Sequence, residues 1–288
     1  MADEVRTAQP KEFYRKYLEQ GVRPDNRELG EFRPTVLDIG SKNGSCISTA
    51  EGSALIRLGN TIVICGIKGE LAEPKTETPT EGYLVPNVEL SAVCSPQFRP
   101  GPPSEQAQVL SQFVANVLKN SQCVELEDLC IAPGKMVWVL YADLICLDYD
   151  GNVADACVLA LTAALSNTSL PVVRVDEETG KTETDFKEEK KIQLTCTPIS
   201  ATSAIFEDNV LLVDPTRQEE ELSTGLVTVV TDGKNICSLE KPGGSPLKDQ
   251  QMRLCIERAF QRHTEACNLI TQSQGSTLST LTSPLVDR

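Results

Sequence analysis

Residues 136–167 read MVWVLYADLICLDYDGNVADACVLALTAALSN, and this stretch decides the fold. Through Asp150 it is an almost unbroken run of Val, Trp, Tyr, Ile and Leu, the residue types that suit a pleated strand. The run is too continuous for a strand with one wet side, which predicts a central strand covered on both faces. DYDGN (148–152) supplies turn residues. From Asp155 to Asn167 the chain is rich in Ala and Leu and apolar nearly all round, which predicts a buried helix. Strand, tight turn and buried helix in direct succession point to an α/β layer.

Working toward the N-terminus, Ser104 is placed to cap a helix whose Leu110, Phe113, Val114, Val117 and Leu118 share one face, as docking on a sheet requires. Residues 83–94 read as extended. ALIRL (54–58) and TIVICGI (61–67) flank Gly59-Asn60, a two-residue hairpin signal. KEFYRKYLEQ (11–20) predicts a short helix stopped by Gly21 and Pro24. Toward the C-terminus, EETGKTETDFKEEKK (177–191) is charged and turn-rich and is the expected domain boundary. IQLTCTPI, TSAIF, NVLLVD and LVTVV follow as four strand-like runs. Residues 246–270 predict a long terminal helix, and the Ser/Thr-rich SQGSTLSTLTSPLVDR is expected to be disordered. The fold class is therefore α/β, two subdomains of mixed sheet with packed helices. An N-terminal helix and arm spans 1–30, the subdomains span 31–176 and 177–272, and the tail spans 273–288.

Composition narrows the function. The chain has 288 residues, 40% hydrophobic and 24% charged, with a net charge of −14 and a pI near 4.7. That is an ordinary globular composition. No run approaches the ~18 apolar residues that a membrane helix needs. MADEVRTAQPKEFYRKYLEQG carries no apolar signal region, so an intracellular protein is expected. The eleven cysteines include no CxxC pair and sit mostly in apolar runs, reading as small reduced core residues rather than zinc ligands or disulfides. A single histidine, His263, excludes an ordinary Ser-His-Asp triad and reads as a surface residue of the last helix. Autonomous nucleic-acid binders concentrate Lys and Arg, so an acidic chain should bind RNA poorly alone.

Local motifs are weak. DYDGN superficially resembles a calcium loop, but its twelfth position is Leu159 where a bidentate Glu is needed. KPGGSP (241–246) lacks the order of a phosphate-binding loop and reads as a turn. EEE (219–221) reads as a solvated helix start. Asp148, Asp150, Asp155 and Asp214 either converge on a hard cation or cap turns, and no spacing selects the metal.

Several stretches together resemble the RNase PH family, and within it the non-catalytic class of exosome ring subunit. They are RPDNREL (23–29) with EFRPT, GSALIRLGNTIVICGIK (52–68), YLVPNVEL (83–90), residues 128–161 and VLLVDPTRQEEE (210–221). The resemblance runs from about Lys11 to about Ile270. It implies two RNase PH domains, the first of the ribosomal protein S5 domain 2-like type. Asn26 stands where the family's glycine is usual, and Asn tolerates positive φ better than most residues. SKNGSC (41–46) looks longer than the family's usual connection.

The resemblance also implies what is lost. Active members seat inorganic phosphate at a turn similar to Asp-Gly-Gly-Thr-Arg opening a helix, where amides and an arginine fork hold the anion. The matching turn is Asp150-Gly151-Asn152-Val153-Ala154, so Thr has become Val153 and Arg has become Ala154. The general acid is expected about twelve residues after Asp214, where Leu226 stands. QAQVLSQF (106–113) has none of the substrate-facing arginines of active members. One electrostatic donor at such a site is worth roughly 3 kcal/mol, so the expected activity is none, with no cofactor and no metal. The implied role is a structural subunit of a hexameric ring. Its implied partners are other RNase PH-like subunits, RNA-binding cap subunits and associated exoribonucleases, with RNA threading the channel, in nucleus, nucleolus and cytoplasm. Arg99 in QFRPG is the RNA-channel candidate, with a solvated or salt-bridged loop arginine as its other reading. The rivals are an active phosphate-dependent exoribonuclease with relocated groups and a freestanding RNA-binding module.

Overall fold

The computed structural model describes residues 9–40, 47–175, 182–207 and 209–281. Helix α1 (Pro10–Leu18) leads into an extended arm. Strands β1 (Thr35–Gly40), β2 (Gly52–Leu58), β3 (Thr61–Ala72), β4 (Tyr83–Leu90), β5 (Cys130–Ala132) and β6 (Met136–Asp148) make the first sheet, ordered β1-β2-β3-β6-β4 with β5 on β6. Only β4 runs parallel to its neighbour β6. The hairpin at Gly59-Asn60 pairs Leu58 with Thr61, and Gly59 has φ +59°. A Cβ there would lie 2.6 Å from Cδ of Arg33, so glycine both makes the turn and lets Arg33 pass.

Helix α2 (Glu105–Ser121) begins where its sequence requires: Oγ of Ser104 accepts from the Ala107 amide, and Phe113, Val114 and Val117 are buried. Helix α3 (Val153–Ser166) is buried at every residue from Asp155 to Leu165. The cause is tertiary. It contacts β2 and β3 on one side and β9 (Ile199–Phe206) of the second sheet on the other. That sheet adds β10 (Val210–Val213), β11 (Gly225–Thr231) and β12 (Ile236–Glu240) in the order β10-β9-β11-β12. Helix α4 (Arg217–Leu222) links β10 to β11, and α5 (Asp249–Leu281) covers the second sheet. Cys65, Cys146 and Cys157 lie in the shared core, where burial raises their thiol pKa and keeps them protonated.

Five expectations are corrected. Strand β6 is not covered on both faces throughout: Tyr141 and Leu147 are exposed, because the helices pack on one side of the sheet only. The charged segment taken as the domain boundary is not turn throughout, since Thr182–Lys191 forms β8 against β7 (Ser169–Val175). A two-stranded ribbon can keep charged side chains wet, and residues 188–191 are all exposed. IQLTCTPI is irregular until Ile199, and ICSLE is the fourth strand of the second sheet instead. The terminal helix continues past Gln272 to Leu281. Ser273 donates to the Leu37 carbonyl at 3.0 Å and Gln274 to Ser166 at 2.9 Å, which docks this turn on the first domain. His263 is half-buried rather than on the surface, with Nε2 3.1 Å from the Thr197 carbonyl oxygen and the Gly233 backbone against its ring. SKNGSC and residues 177–181 lie outside the described residues, as do 282–288 of the expected tail. No described helix is long and apolar enough to cross a membrane.

Candidate functional site

The turn between β6 and α3 is where the resemblance places a lost phosphate seat, and its backbone is held from three sides. Gly151 and Asn152 both have positive φ, 77° and 50°. Oγ1 of Thr61 donates to the Gly151 carbonyl at 2.7 Å and accepts from the Asp150 amide at 3.2 Å. The start of α4 lies on the turn, with the Arg217 amide donating to the Asp150 carbonyl at 3.2 Å. A Cβ on Gly151 would come within 2.5 Å of the Arg217 nitrogen. Only glycine allows this approach.

Behind the turn, a buried lattice of charge joins the N-terminal arm to both domains. Arg33 grips Asp214 through Nε and Nη2 at 2.9 and 2.8 Å, and its own amide donates to the same carboxylate at 2.8 Å. Nη1 of Arg33 reaches the Asp150 carbonyl at 2.8 Å. The Asn152 amide group donates to Asp214 at 2.5 Å and to Asp155 at 2.8 Å. Two carboxylates facing one amide group fix its orientation, since the reverse flip would set oxygen against oxygen. Asp155 also accepts from the Thr202 amide and hydroxyl at 2.8 and 2.9 Å. Arg23 and Arg27 donate to carbonyls of Asp214 and Val213 and stand 3.6 and 3.7 Å from buried Glu219. Burial works to raise the Asp214 carboxyl, but the Arg33 hydrogen bonds and charge outweigh it and hold it below its usual range. Burial dominates at Asp155, whose carboxyl is raised.

In front of the turn stands Glu220. Its Oε1 accepts from the Asn152 backbone amide at 2.7 Å, and the Tyr149 hydroxyl donates to Oε2 at 3.4 Å. Burial pushes its carboxyl up to about 7, against the Asn152 amide and Arg33, which pull it down. Glu220 faces a cleft of about 530 Å³ lined also by Gln97, Gln106, Tyr149, Arg217 and Glu221. Gln106 donates to the Tyr149 hydroxyl at 3.2 Å, and Phe98 meets the Tyr149 ring edge-on at 5.4 Å. The cleft's one arginine, Arg217, is bound to Glu221 at 3.0 Å. A second cleft of about 560 Å³ opens on the other side of the turn, with Asp25, Asn60, Asp148 and Asp150 on its walls.

The expected positions fare differently. Val153 is buried and Ala154 partly exposed at the start of α3, and neither carries a polar side-chain atom to offer an anion. Leu226 lies on β11, partly buried against the apolar cluster of Tyr14, Leu18 and Phe206, and lines neither cleft. The carboxylate at the turn is Glu220, six residues after Asp214, because the single turn of α4 folds back over the site. EEE is therefore not a solvated helix start. Glu219 is buried and closes a capping box with Thr216, Glu220 is half-buried, and only Glu221 is exposed. Arg99 is exposed in the loop between β4 and α2. Asp148 and Asp150 line the second cleft while Asp155 and Asp214 are buried behind the turn, and no group suited to a metal ion occurs among the described residues. Sequence reading gave Arg33 and Asn152 no role of their own and placed Glu220 on a solvated helix start. The capping box Thr216-x-x-Glu219 was the available signal that α4 starts at the VDPT element and carries Glu220 back.

Comparison with known proteins shows what the chain is similar to. Models of the 3′ exoribonuclease family match domain 1 over residues 31–171 and domain 2 over residues 196–262. The exosome complex component rrp43 of Schizosaccharomyces pombe is 43% identical over 251 residues, covering 87% of this chain and 91% of that one. The exosome complex component Rrp42 of Pyrococcus furiosus is 37% identical, covering 93% and 95%. The solved structure of the Archaeoglobus fulgidus exosome with RNA bound to the active site contains a chain similar to this one, with a TM-score of 0.79 and 31% identity. It covers 90% of this chain and 96% of that chain.

Proposed function

Because this chain belongs to the 3′ exoribonuclease family, we propose that it is a non-catalytic subunit of an RNA exosome ring. It supports 3′-to-5′ RNA processing and degradation, including rRNA maturation and mRNA turnover, by nucleases bound elsewhere in the complex. The observation that carries this reading is the charge of the cleft in front of the Asp150–Ala154 turn. Phosphorolysis needs a cationic seat for phosphate and for the scissile linkage. Here Glu105, Glu220 and Glu221 face a single arginine that is already paired. Gln106 stands on α2, in the stretch where active members carry arginines. The relocated-site alternative has no better footing, since the second cleft's arginine, Arg33, is committed to Asp214.

A scaffold needs surfaces instead of a site. Val36, Tyr141 and Val85 are exposed on the sheet face turned away from α2 and α3, and they suit contact with neighbouring ring subunits of the same fold. Cap subunits and exoribonucleases complete the assembly, and RNA passes through its channel with Arg99 as the candidate contact. The net charge of −14 suits basic neighbours and opposes a freestanding RNA-binding module. The complex works in nucleus, nucleolus and cytoplasm.

The test is release of nucleoside diphosphates from single-stranded RNA with added phosphate, by the purified chain and by the chain co-expressed with ring partners. No release in either state, with stoichiometric co-purification, is expected. Release from the wild-type chain that is abolished by Asp214→Asn, with the partners' own sites disabled, would overturn the reading.

A further inference from the structure

We propose that the Glu220 carboxyl group is an internal occupant of the anion seat on the Asp150–Ala154 turn, so that this chain excludes inorganic phosphate by occupancy as well as by lacking a cationic fork. The inference rests on reading that turn as a lost phosphate seat. An anion seat of this type is built from backbone amides at the opening of a helix, and α3, with fourteen residues, is long enough to have one. The amide of Asn152 at that opening is taken by Oε1 of Glu220 at 2.7 Å. The second carboxylate oxygen is held by the Tyr149 hydroxyl, which itself accepts from Gln106.

Glu220 is not free to swing away. Its backbone amide donates to the Thr216 carbonyl at 2.9 Å, and the Thr216–Glu219 capping box fixes the start of α4. The Arg217 amide clamps the same helix to the Asp150 carbonyl, and Gly151 touches the backbone of Thr216 and Arg217. The next carboxylate along the helix opening, Asp155, is equally committed, to Thr202 and Asn152. A phosphate entering from the cleft would have to displace Glu220 and then sit beside Glu221. Restoring the fork alone should fail, because an arginine at position 154 would meet the Glu220 and Glu221 carboxylates before any phosphate did.

The experiment compares inorganic phosphate binding by calorimetry in the full chain and in three variants: Val153→Thr/Ala154→Arg, Glu220→Ala, and the triple combination. The triple variant is expected to bind phosphate at least about tenfold more tightly than the fork-only variant. Equal binding by those two would overturn the proposal, as would an absence of binding in the folded triple variant. A measurement on the wild-type chain guards against misfolded variants: the Asn152 amide resonance should show slow hydrogen exchange and no shift on phosphate titration. A saturable shift would overturn the proposal. Nucleoside diphosphate release by the wild-type chain would instead overturn the scaffold reading, and the binding data separate the two failures.

Discussion

Arg33 shows how one side chain integrates a site. It spans the arm, the hairpin and both domains through Asp214, Asp150 and Gly151. Removing it leaves Asp214 buried, ionised and largely unpaired, so Arg33→Ala should cost about 3–5 kcal/mol in urea unfolding. A cost within the range of surface substitutions would mean the lattice is dispensable. Glu220 makes a pH-dependent contribution of the opposite kind. In the folded chain its carboxyl is pushed up to about 7 from an ordinary 4.5, by burial above all. Between those values the folded state binds more protons than the unfolded one, so this group's contribution to stability falls as pH rises from about 4.5 to about 7. With its partial exposure allowed for, the loss is roughly 2 kcal/mol. Glu220→Gln should flatten that part of the stability–pH curve, and an unchanged slope would show that the proton sits elsewhere. None of these roles was legible locally. EEE reads as solvent-facing until α4 is seen to fold back onto the turn.

At the level of elements, α3 and α4 meet at Gly151, and their contact positions Glu220. Gly151 has φ +77° with the Arg217 backbone in the place of a Cβ. Gly151→Ala should therefore cost about 2–4 kcal/mol, combining backbone strain with displacement of α4. Loss of the Asn152–Glu220 hydrogen bond would appear in the Asn152 amide resonance. A stable variant with that resonance unmoved would rule out the close approach. The elements themselves were well marked in the sequence. Ser104 capped α2, Gly59-Asn60 made the hairpin, and the Ala/Leu-rich run made α3. ICSLE was missed because a five-residue strand at a sheet edge has no strong period. IQLTCTPI was over-read because β-type residues also serve in irregular connections.

For the whole molecule, α3 is the shared wall of two sheets, and the main core runs from Leu37 through α3 to Ile199, Val230 and Ala266. The domains are therefore expected to unfold together, in one calorimetric transition. Two separated transitions would mean that the lattice of Arg23, Arg27 and Arg33 does not couple them. The same arrangement explains why the charged stretch after Val175 is a poor guide to domain independence: its second half is strand β8, and the core passes beneath the boundary. The sequence by itself determined the fold class, the main helices and strands, the family, and the absence of a donor at Val153 and Ala154. Those follow from periodicity, turn chemistry and residue identity, which are local properties. Only the tertiary structure decided that Leu226 packs against Tyr14 and Leu18 of the N-terminal helix, that Asn152 ties Asp155 to Asp214, and that Glu220 sits on the turn. Each depends on groups 62 or more residues apart meeting across a buried, low-dielectric interface, where pairing is strong and no short-range pattern records it.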